Sequence, residues 1–162
     1  IPNKMKIEID TLKKIGSKIK IYKNEIHISG KKKIKNTNIV TSPYPGFPTD
    51  LQAQIMVLLC KANKKSVIKE NIFENRFMHV AELNRMGAKI SINGNKAVIE
   101  GNTSFACAEL MATDLRASVS LILAALSAKG KSIINRIYHL DRGYESIEKK
   151  LKNVGARIRR IN

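Results

Sequence analysis

Three stretches of the chain repeat one pattern: LKKIGSKI at residues 12–19, LNRMGAKI at 83–90 and LKNVGARI at 151–158. In each stretch a helical pattern runs into a glycine and then changes to alternating polar and apolar residues. Glycine just beyond a helix commonly adopts the left-handed conformation that ends it, because it lacks a Cβ. Each stretch is therefore predicted to be a helix that stops at glycine and turns directly into a strand.

A second set of matching positions lies between these stretches, with its members spaced 64 to 66 residues apart. It pairs residues 48–51 with 112–115, residues 66–68 with 132–134, and Arg76 with Arg142. The nearly constant spacing indicates that a whole structural unit is duplicated, since a short motif would match at one place only. We assign residues 1–36 (partial), 37–101 and 102–162 to three units of one incomplete domain.

Hydrophobic periodicity and turn residues predict the order of helices and strands in these units. The unit at 37–101 is predicted to hold helices at about 50–63 (with Thr49 or Asp50 as N-cap) and 77–86, and strands at 66–72, 88–93 and 96–100, with a hairpin turn at Asn93-Gly94-Asn95. The other units are predicted to hold helices at 8–15, 114–128 and 143–154 and strands at 17–22, 25–29, 104–111, 131–137 and 156–161. The repeating order is βαβαββ, which defines an α/β fold.

The predicted helices at 50–63 and 114–128 have almost no polar face. A helix that is apolar all round has to be surrounded by protein. The strands instead alternate, as in KISI at 89–92, so one face of each sheet meets water. The sequence therefore predicts helices inside and sheets outside, the reverse of a TIM barrel. No membrane partner is expected, because the apolar run at 117–128 is shorter than the roughly 20 residues that span a bilayer.

The net charge of +17 raises the question of a nucleic-acid partner. The lysines are scattered over the whole chain, and the only dense cluster is KKKIK at residues 31–35. Aromatic residues make up 5% and do not interleave with basic ones, as they do in single-strand binders. We expect a solvated lysine-rich surface and no specific nucleic-acid partner, with a basic polyanion-binding domain as the alternative.

Cysteines and histidines give no pattern of a metal or disulfide site. Cys60 and Cys107 lie among apolar residues, and His79 and His139 have no ligand-type residues at metal-binding spacing. We expect packing or hydrogen-bonding roles for the histidines, no cofactor, no metal, and a reduced cytoplasmic compartment. Because the first residue is Ile1 and no signal peptide precedes the first structured segment, we also expect the chain to be part of a longer protein.

Charged residues recur near the predicted helix starts. Asp50 and Asp114 open the two apolar helices, Arg76 and Arg142 lie near the starts of the outer ones, and Arg116 follows in the last unit. If the units are related by rotation, helix N-termini gather at one end, where unpaired N–H groups favour anions. A simpler interpretation treats the aspartates as helix caps and the arginines as surface ion-pair partners. The residues alone indicate an anion-binding repeat domain with a candidate carboxylate base.

Several longer strings resemble the enolpyruvyl transferase family, in the branch whose acceptor is UDP-N-acetylglucosamine. The strings are YPGFPTDLQAQ at 44–54, FENRFMH at 73–79, EL at 82–83, RMGA at 85–88, MATDLRAS at 111–118, RIYH at 136–139 and DRGYE at 141–145. They cover most of residues 43–162, whereas the first forty residues match in the repeat pattern only. The resemblance implies an inside-out α/β barrel built of βαβαββ units.

The resemblance also implies an activity and a set of site residues. The activity is transfer of an enolpyruvyl group from phosphoenolpyruvate to the 3′-hydroxyl of UDP-N-acetylglucosamine, at the start of peptidoglycan synthesis. Substrate contacts are implied for Asp50, Ile72, Arg76, Asp114, Arg116 and Arg142. Asp50 would be the catalytic base, Ile72 would contact the nucleotide-sugar through its backbone, and Arg116 and Arg142 would hold the anions of phosphoenolpyruvate.

Two parts of the family's active site have no counterpart in this sequence. The family's catalytic cysteine lies on a mobile loop of another domain, and a Lys-Asn pair that engages phosphoenolpyruvate lies near the start of the full protein. We therefore expect the chain to be inactive alone and to need the remainder of the enzyme as its partner. A non-catalytic remnant is the alternative.

Overall fold

The computed structural model describes residues 2–30 and 33–161, so Lys31 and Lys32 of the basic cluster lie outside the described residues. The α-helices of this part of the chain are α1 (Lys6–Lys14), α2 (Gln52–Cys60), α3 (His79–Arg85), α4 (Leu115–Ser127), α5 (Tyr138–Asp141) and α6 (Ile147–Asn153). The strands are β1 (Lys18–Ile21), β2 (Ile26–Ser29), β3 (Ile39–Val40), β4 (Ser66–Lys69), β5 (Ile90–Asn93), β6 (Lys96–Ile99), β7 (Glu109–Met111) and β8 (Ile133–Asn135). Short 3-10 turns cover Pro2–Met5 and Thr49–Leu51.

The central sheet has the strand order β3-β4-β6-β5. β3 runs parallel to β4, with Ile39 opposite Ile68, while β6 pairs antiparallel with both β4 and β5. Helices α2 and α3 connect these strands, so residues 37–101 follow the order βαβαββ. β1 and β2 form an antiparallel pair, and β7 and β8 form a parallel pair.

The core lies around α2 and α4, which pack against each other. Met56 and Leu59 of α2 are 0% exposed and Leu121 of α4 is 1% exposed. In β6, by contrast, Ala97 is buried while its neighbour Lys96 is exposed, so the two faces of this sheet differ in their contact with solvent. The apolar helices are thus inside and the sheets outside, which confirms the predicted inside-out arrangement. None of the helices in the described ranges has the length and hydropathy that a bilayer crossing requires.

The three repeated glycines end their helices in the predicted way. Gly16, Gly87 and Gly155 have φ values of 110°, 94° and 95°, a conformation that a side chain would strain. Gly94, in the predicted hairpin turn, has φ 56° and joins β5 to β6. The helix stops and the hairpin predicted from the sequence are confirmed.

The prediction is wrong at the C-terminal end. Residues 156–161 form no strand, and the helix predicted at 143–154 begins only at α6, after Ser146 with φ 44°. A strand needs a neighbour for its N–H and C=O groups, and no described strand lies beside this segment. Arg160 instead donates a hydrogen bond to Asp141 at 3.0 Å. The other predicted helices and strands are present, most of them shorter, and β3 and α5 have no counterpart in the prediction.

Candidate active site

Asp50 is bound by two arginines that come from distant parts of the chain. Arg76 donates a hydrogen bond from Nη2 to Asp50 Oδ1 at 3.1 Å, and Arg116 donates from Nε to the same oxygen. Asp50 lies in the 3-10 turn before α2, Arg76 in the loop before α3, and Arg116 in the first turn of α4. The Asp50 side chain is 55% exposed, so the three charged groups form a cluster that is open to solvent.

The arginines keep the Asp50 carboxylate charged. The hydrogen bond from Arg116 is the largest cause that holds the pKa of Asp50 below its ordinary value. The charge of Arg76 lowers this pKa further, whereas partial burial raises it. The same contact raises the pKa of the Arg116 guanidinium. Two guanidiniums share the Asp50 carboxylate, and the charge of nearby Asp114 also acts on Arg116. Such a cluster favours anionic ligands, because planar guanidinium donors match carboxylate and phosphate oxygens.

Asp114 has a different role from Asp50, although it occupies the equivalent repeat position. Its Oδ1 accepts hydrogen bonds from the backbone N–H of Arg116 at 2.8 Å and of Ala117 at 2.9 Å, which makes it the N-cap of α4. These bonds satisfy two N–H groups that have no partner within the helix. The capping interpretation is therefore confirmed at Asp114.

The capping prediction is wrong at α2. Leu51 occupies the N-cap position and no side chain caps the helix. The hydroxyl of Thr49 donates instead to Glu70 Oε2 at 3.0 Å, and Asp50 is engaged by the arginines. Both side chains that could have capped α2 therefore have stronger partners in charged groups elsewhere in the fold.

Ile72 lies in the loop that follows β4. Its backbone N–H donates to Glu70 Oε1 at 2.9 Å, and the N–H of Phe73 donates to the same oxygen at 3.3 Å. Glu70 also accepts from Thr49, the neighbour of Asp50, so this loop and the Asp50 turn are connected through one side chain. Ile72 and Asp50 are therefore linked through Glu70, which bonds to Ile72 itself and to Thr49, the neighbour of Asp50.

Arg142 is not brought into contact with the Asp50 cluster. It is exposed at the C-terminal end of α5 rather than at a helix start, and no hydrogen bond or ion pair within the described residues joins it to Asp50 or Arg116. The following residues do approach the two apolar helices. A Cβ on Gly143 would lie 2.9 Å from Leu115 Cδ2, and Gln54 donates to the Tyr144 hydroxyl at 3.5 Å. The role of Arg142 stays a prediction.

Glu70 and His79 are buried polar residues beside these site residues. Glu70 was missed by sequence reasoning; it is 2% exposed, and the available signal was a carboxylate directly after the buried strand β4. His79 is 2% exposed, which agrees with the predicted packing role, and burial lowers its pKa to about 4. The charge of Asp114 opposes this shift and that of Arg76 adds to it, so His79 lies near both. It is therefore neutral at physiological pH.

The described residues show no metal centre, and the buried cysteine is not activated. No group of three His, Cys, Asp or Glu side chains in this part of the chain could hold a metal ion. Cys60 is buried, and burial raises the pKa of its thiol to about 12. A thiol with so high a pKa is a poor nucleophile at neutral pH, because the thiolate is the reactive form.

The inside-out α/β fold is that of the enolpyruvyl transferases, as the solved structures that it matches show. Residues 2–151 match the family described as EPSP synthase (3-phosphoshikimate 1-carboxyvinyltransferase), and the chain belongs to this family. Among solved structures, the enolpyruvyl transferase NikO from Streptomyces tendae is 27% identical with a TM-score of 0.88, over 96% of this chain and 36% of that one. An EPSP synthase from Acinetobacter baumannii, 19% identical with a TM-score of 0.73 over 95% of this chain and 39% of that one, shows the same fold.

Two curated relatives of higher identity share one name. The chain is 80% identical over 161 residues to the UDP-N-acetylglucosamine 1-carboxyvinyltransferase of Pelagibacter ubique (strain HTCC1062), over 99% of this chain and 39% of that protein. It is 58% identical over 150 residues to the protein of the same name from Campylobacter lari (strain RM2100), over 93% of this chain and 36% of that protein. The chain thus spans less than two fifths of the length of these relatives.

Proposed function

We propose that this chain supplies part of the active site of a UDP-N-acetylglucosamine 1-carboxyvinyltransferase. That enzyme transfers the enolpyruvyl group of phosphoenolpyruvate to the 3′-hydroxyl of UDP-N-acetylglucosamine in the first committed step of peptidoglycan synthesis. The observation that carries the proposal is the contact of Asp50 with Arg76 and Arg116, three residues separated in sequence. The names of the relatives at 80% and 58% identity support it. Both substrates are anionic metabolites, which is consistent with the cytoplasm as the site of action.

In the proposed mechanism Asp50 accepts the proton of the sugar 3′-hydroxyl as its oxygen bonds to C2 of phosphoenolpyruvate. C3 takes up a proton from an acid outside this chain and later loses one, while the bond between C2 and the phosphate oxygen breaks and phosphate leaves. Arg116, and Arg142 by resemblance, hold the carboxylate and phosphate anions, and Arg76 and Asp114 line the cleft. Arg116 weakens Asp50 as a base while it contacts the carboxylate. An anionic substrate that drew Arg116 away would raise the pKa of Asp50 toward the range in which it accepts a proton.

An apolar cavity supports a contribution from residues outside this chain. It has a volume of about 360 Å³ and lies between α1, α2 and α4, against Leu12, Leu58 and Leu123. The repeat aligns α1 with the outer helices α3 and α6, so the first unit here has no counterpart of the inner helices α2 and α4. We propose that an inner helix from the rest of the polypeptide fills this cavity and that the same polypeptide carries the missing cysteine and Lys-Asn pair.

The test uses a full-length chimera in which this chain replaces the matching 161 residues of the Pelagibacter ubique relative. We expect it to release phosphate from phosphoenolpyruvate only when UDP-N-acetylglucosamine is present. Asp50→Asn keeps the shape of the side chain and removes the base, so kcat should fall by about 10² to 10⁴. The matched control is Asp10→Asn, because Asp10 is exposed on α1, and it should keep the rate of the parent.

Two results would contradict the proposal. A folded chimera that releases no phosphate, beside an active Pelagibacter ubique protein, would show that this chain does not carry its share of the site. A near-parental kcat for Asp50→Asn would remove Asp50 as the base.

A further inference from the structure

Glu70 is a buried carboxylate that receives hydrogen bonds from three separate segments. Its Oε1 accepts from the Thr41 hydroxyl at 2.7 Å and from the backbone N–H groups of Ile72 at 2.9 Å and Phe73 at 3.3 Å. Its Oε2 accepts from the Thr49 hydroxyl at 3.0 Å. The residue is 2% exposed and no arginine or lysine of the described residues pairs with it. The four donors alone therefore compensate the burial of this carboxyl group.

The network specifies which group donates. Thr41 Oγ1 accepts from the N–H of Asn71 at 2.9 Å, so its own proton is free to point at Glu70. The two backbone N–H groups can only donate. Three donors thus converge on Oε1, and an apolar side chain at this position would leave all of them without an acceptor.

We propose that Glu70 is a positioning residue of the acceptor-sugar site, which holds the Asp50 carboxylate and the Ile72 carbonyl in a fixed mutual arrangement. This inference rests on the proposed function. One carboxylate oxygen anchors the hydroxyl of Thr49, the residue before Asp50, and the other anchors the loop that contains Ile72.

The geometry of the peptide bond determines which group of Ile72 faces the ligand. The N–H of Ile72 is occupied by Glu70, and its carbonyl accepts no backbone hydrogen bond from the described residues. That carbonyl belongs to the same peptide as the N–H of Phe73, which also points at Glu70. In a trans peptide the C=O and N–H point in opposite directions. The Ile72 carbonyl therefore points away from the buried carboxylate, where it can accept a hydrogen bond from an amide or hydroxyl of the nucleotide-sugar.

The experiment measures steady-state kinetics of the chimera with Glu70→Ala and Glu70→Gln. The alanine variant removes both anchors, so the KM for UDP-N-acetylglucosamine should rise about tenfold or more and kcat should fall, because hydrogen bonds to a buried charged group are among the strong ones. Glutamine can keep its oxygen toward Thr41, Ile72 and Phe73 and donate to Thr49, whose hydroxyl can turn and accept. The KM of Glu70→Gln for UDP-N-acetylglucosamine should therefore stay close to that of the parent.

A second variant separates the two anchors and remains informative if Glu70→Ala does not fold. Thr49→Val has nearly the same shape and removes only the bond on the Asp50 side, so kcat should fall severalfold with little change in either KM. Glu74→Gln is the matched control, since Glu74 is exposed in the same loop, and it should behave as the parent.

Parental kinetics in a folded Glu70→Ala variant would overturn the inference, as would Thr49→Val with an unchanged kcat. Equal kinetic losses in Glu70→Ala and Glu70→Gln would also overturn it, because the oxygen of glutamine would then fail to replace that of glutamate. If the parent chimera transfers no enolpyruvyl group, the proposed function fails instead. Slow hydrogen exchange at the amides of Ile72 and Phe73, lost in Glu70→Ala, would then still confirm the network.

Discussion

Asp50 and Asp114 occupy the same position in two copies of one repeat, and the fold uses them differently. Asp114 turns back onto its own helix and caps α4 through two backbone N–H groups. Asp50 leaves α2 uncapped and contacts Arg76 and Arg116, one from its own copy and one from the other. The duplicated backbone has been kept, while one aspartate stabilises a helix and the other is available for chemistry.

The same divergence appears at the residues that follow the paired strands. Glu70 is buried after β4, whereas the matching position after β8 is the exposed Arg136, whose guanidinium donates to the Tyr138 hydroxyl at 3.1 Å. Arg76 pairs with the aspartate of its own copy, whereas its counterpart Arg142 makes no such pair within the described residues. A repeat therefore predicts where charged residues lie but not which partners they take.

The largest effect on stability that we expect comes from His79, which is buried, whereas its counterpart Glu145 in the other copy is exposed. His79 has a pKa of about 4 in the folded protein against an ordinary 6.5, so between these pH values the unfolded chain binds a proton that the folded protein excludes. The free energy of unfolding should therefore fall by about 3 kcal/mol as the pH drops from 7 to 4. Urea unfolding of the chimera at several pH values measures this loss.

His79→Gln should remove that part of the pH dependence, whatever its effect at pH 7. His27→Gln is the control, since His27 is exposed on β2 and its removal takes no buried group away. An unchanged slope in His79→Gln would show that the buried histidine is not the group that titrates.

A smaller effect distinguishes the helix cap from the ion cluster. Asp114→Ala should lower the free energy of unfolding by about 1 to 2 kcal/mol, whereas Asp114→Asn should cost only a few tenths, because asparagine caps a helix about as well as aspartate. At Asp50, which caps nothing, alanine and asparagine should differ little in stability. Thermal or urea unfolding of the four variants gives the comparison. Equal costs for the two Asp114 variants would indicate that its charge, and not its cap, stabilises α4.

The elements that could be predicted from the sequence are those fixed by local chemistry. The glycine stops at Gly16, Gly87 and Gly155 depend on backbone conformation at one residue, and the buried helices follow from their lack of a polar face. The strand at 156–161 is predicted by the repeat and by alternation, and neither supplies the neighbouring strand that a ladder needs.

The site could be predicted only in part, for a similar reason. The repeat and the resemblance predict Asp50, Arg76 and Arg116 as site residues, and in the structure both arginines donate hydrogen bonds to Asp50. Glu70 was missed because its partners are hydroxyl and backbone groups from three segments, and the sequence does not show that these segments meet. Polar contacts of this kind depend on tertiary packing and leave no periodic signal.

We propose that the Asp50 carboxylate faces the acceptor hydroxyl while Asp114 remains a helix cap. A crystal structure of the chimera with bound UDP-N-acetylglucosamine tests it most directly. We expect the 3′-hydroxyl oxygen within about 3 Å of an Asp50 carboxylate oxygen, with Asp114 still bonded to the backbone at the start of α4. A sugar that binds with its 3′-hydroxyl out of hydrogen-bond reach of Asp50, directly or through one water, would contradict the account.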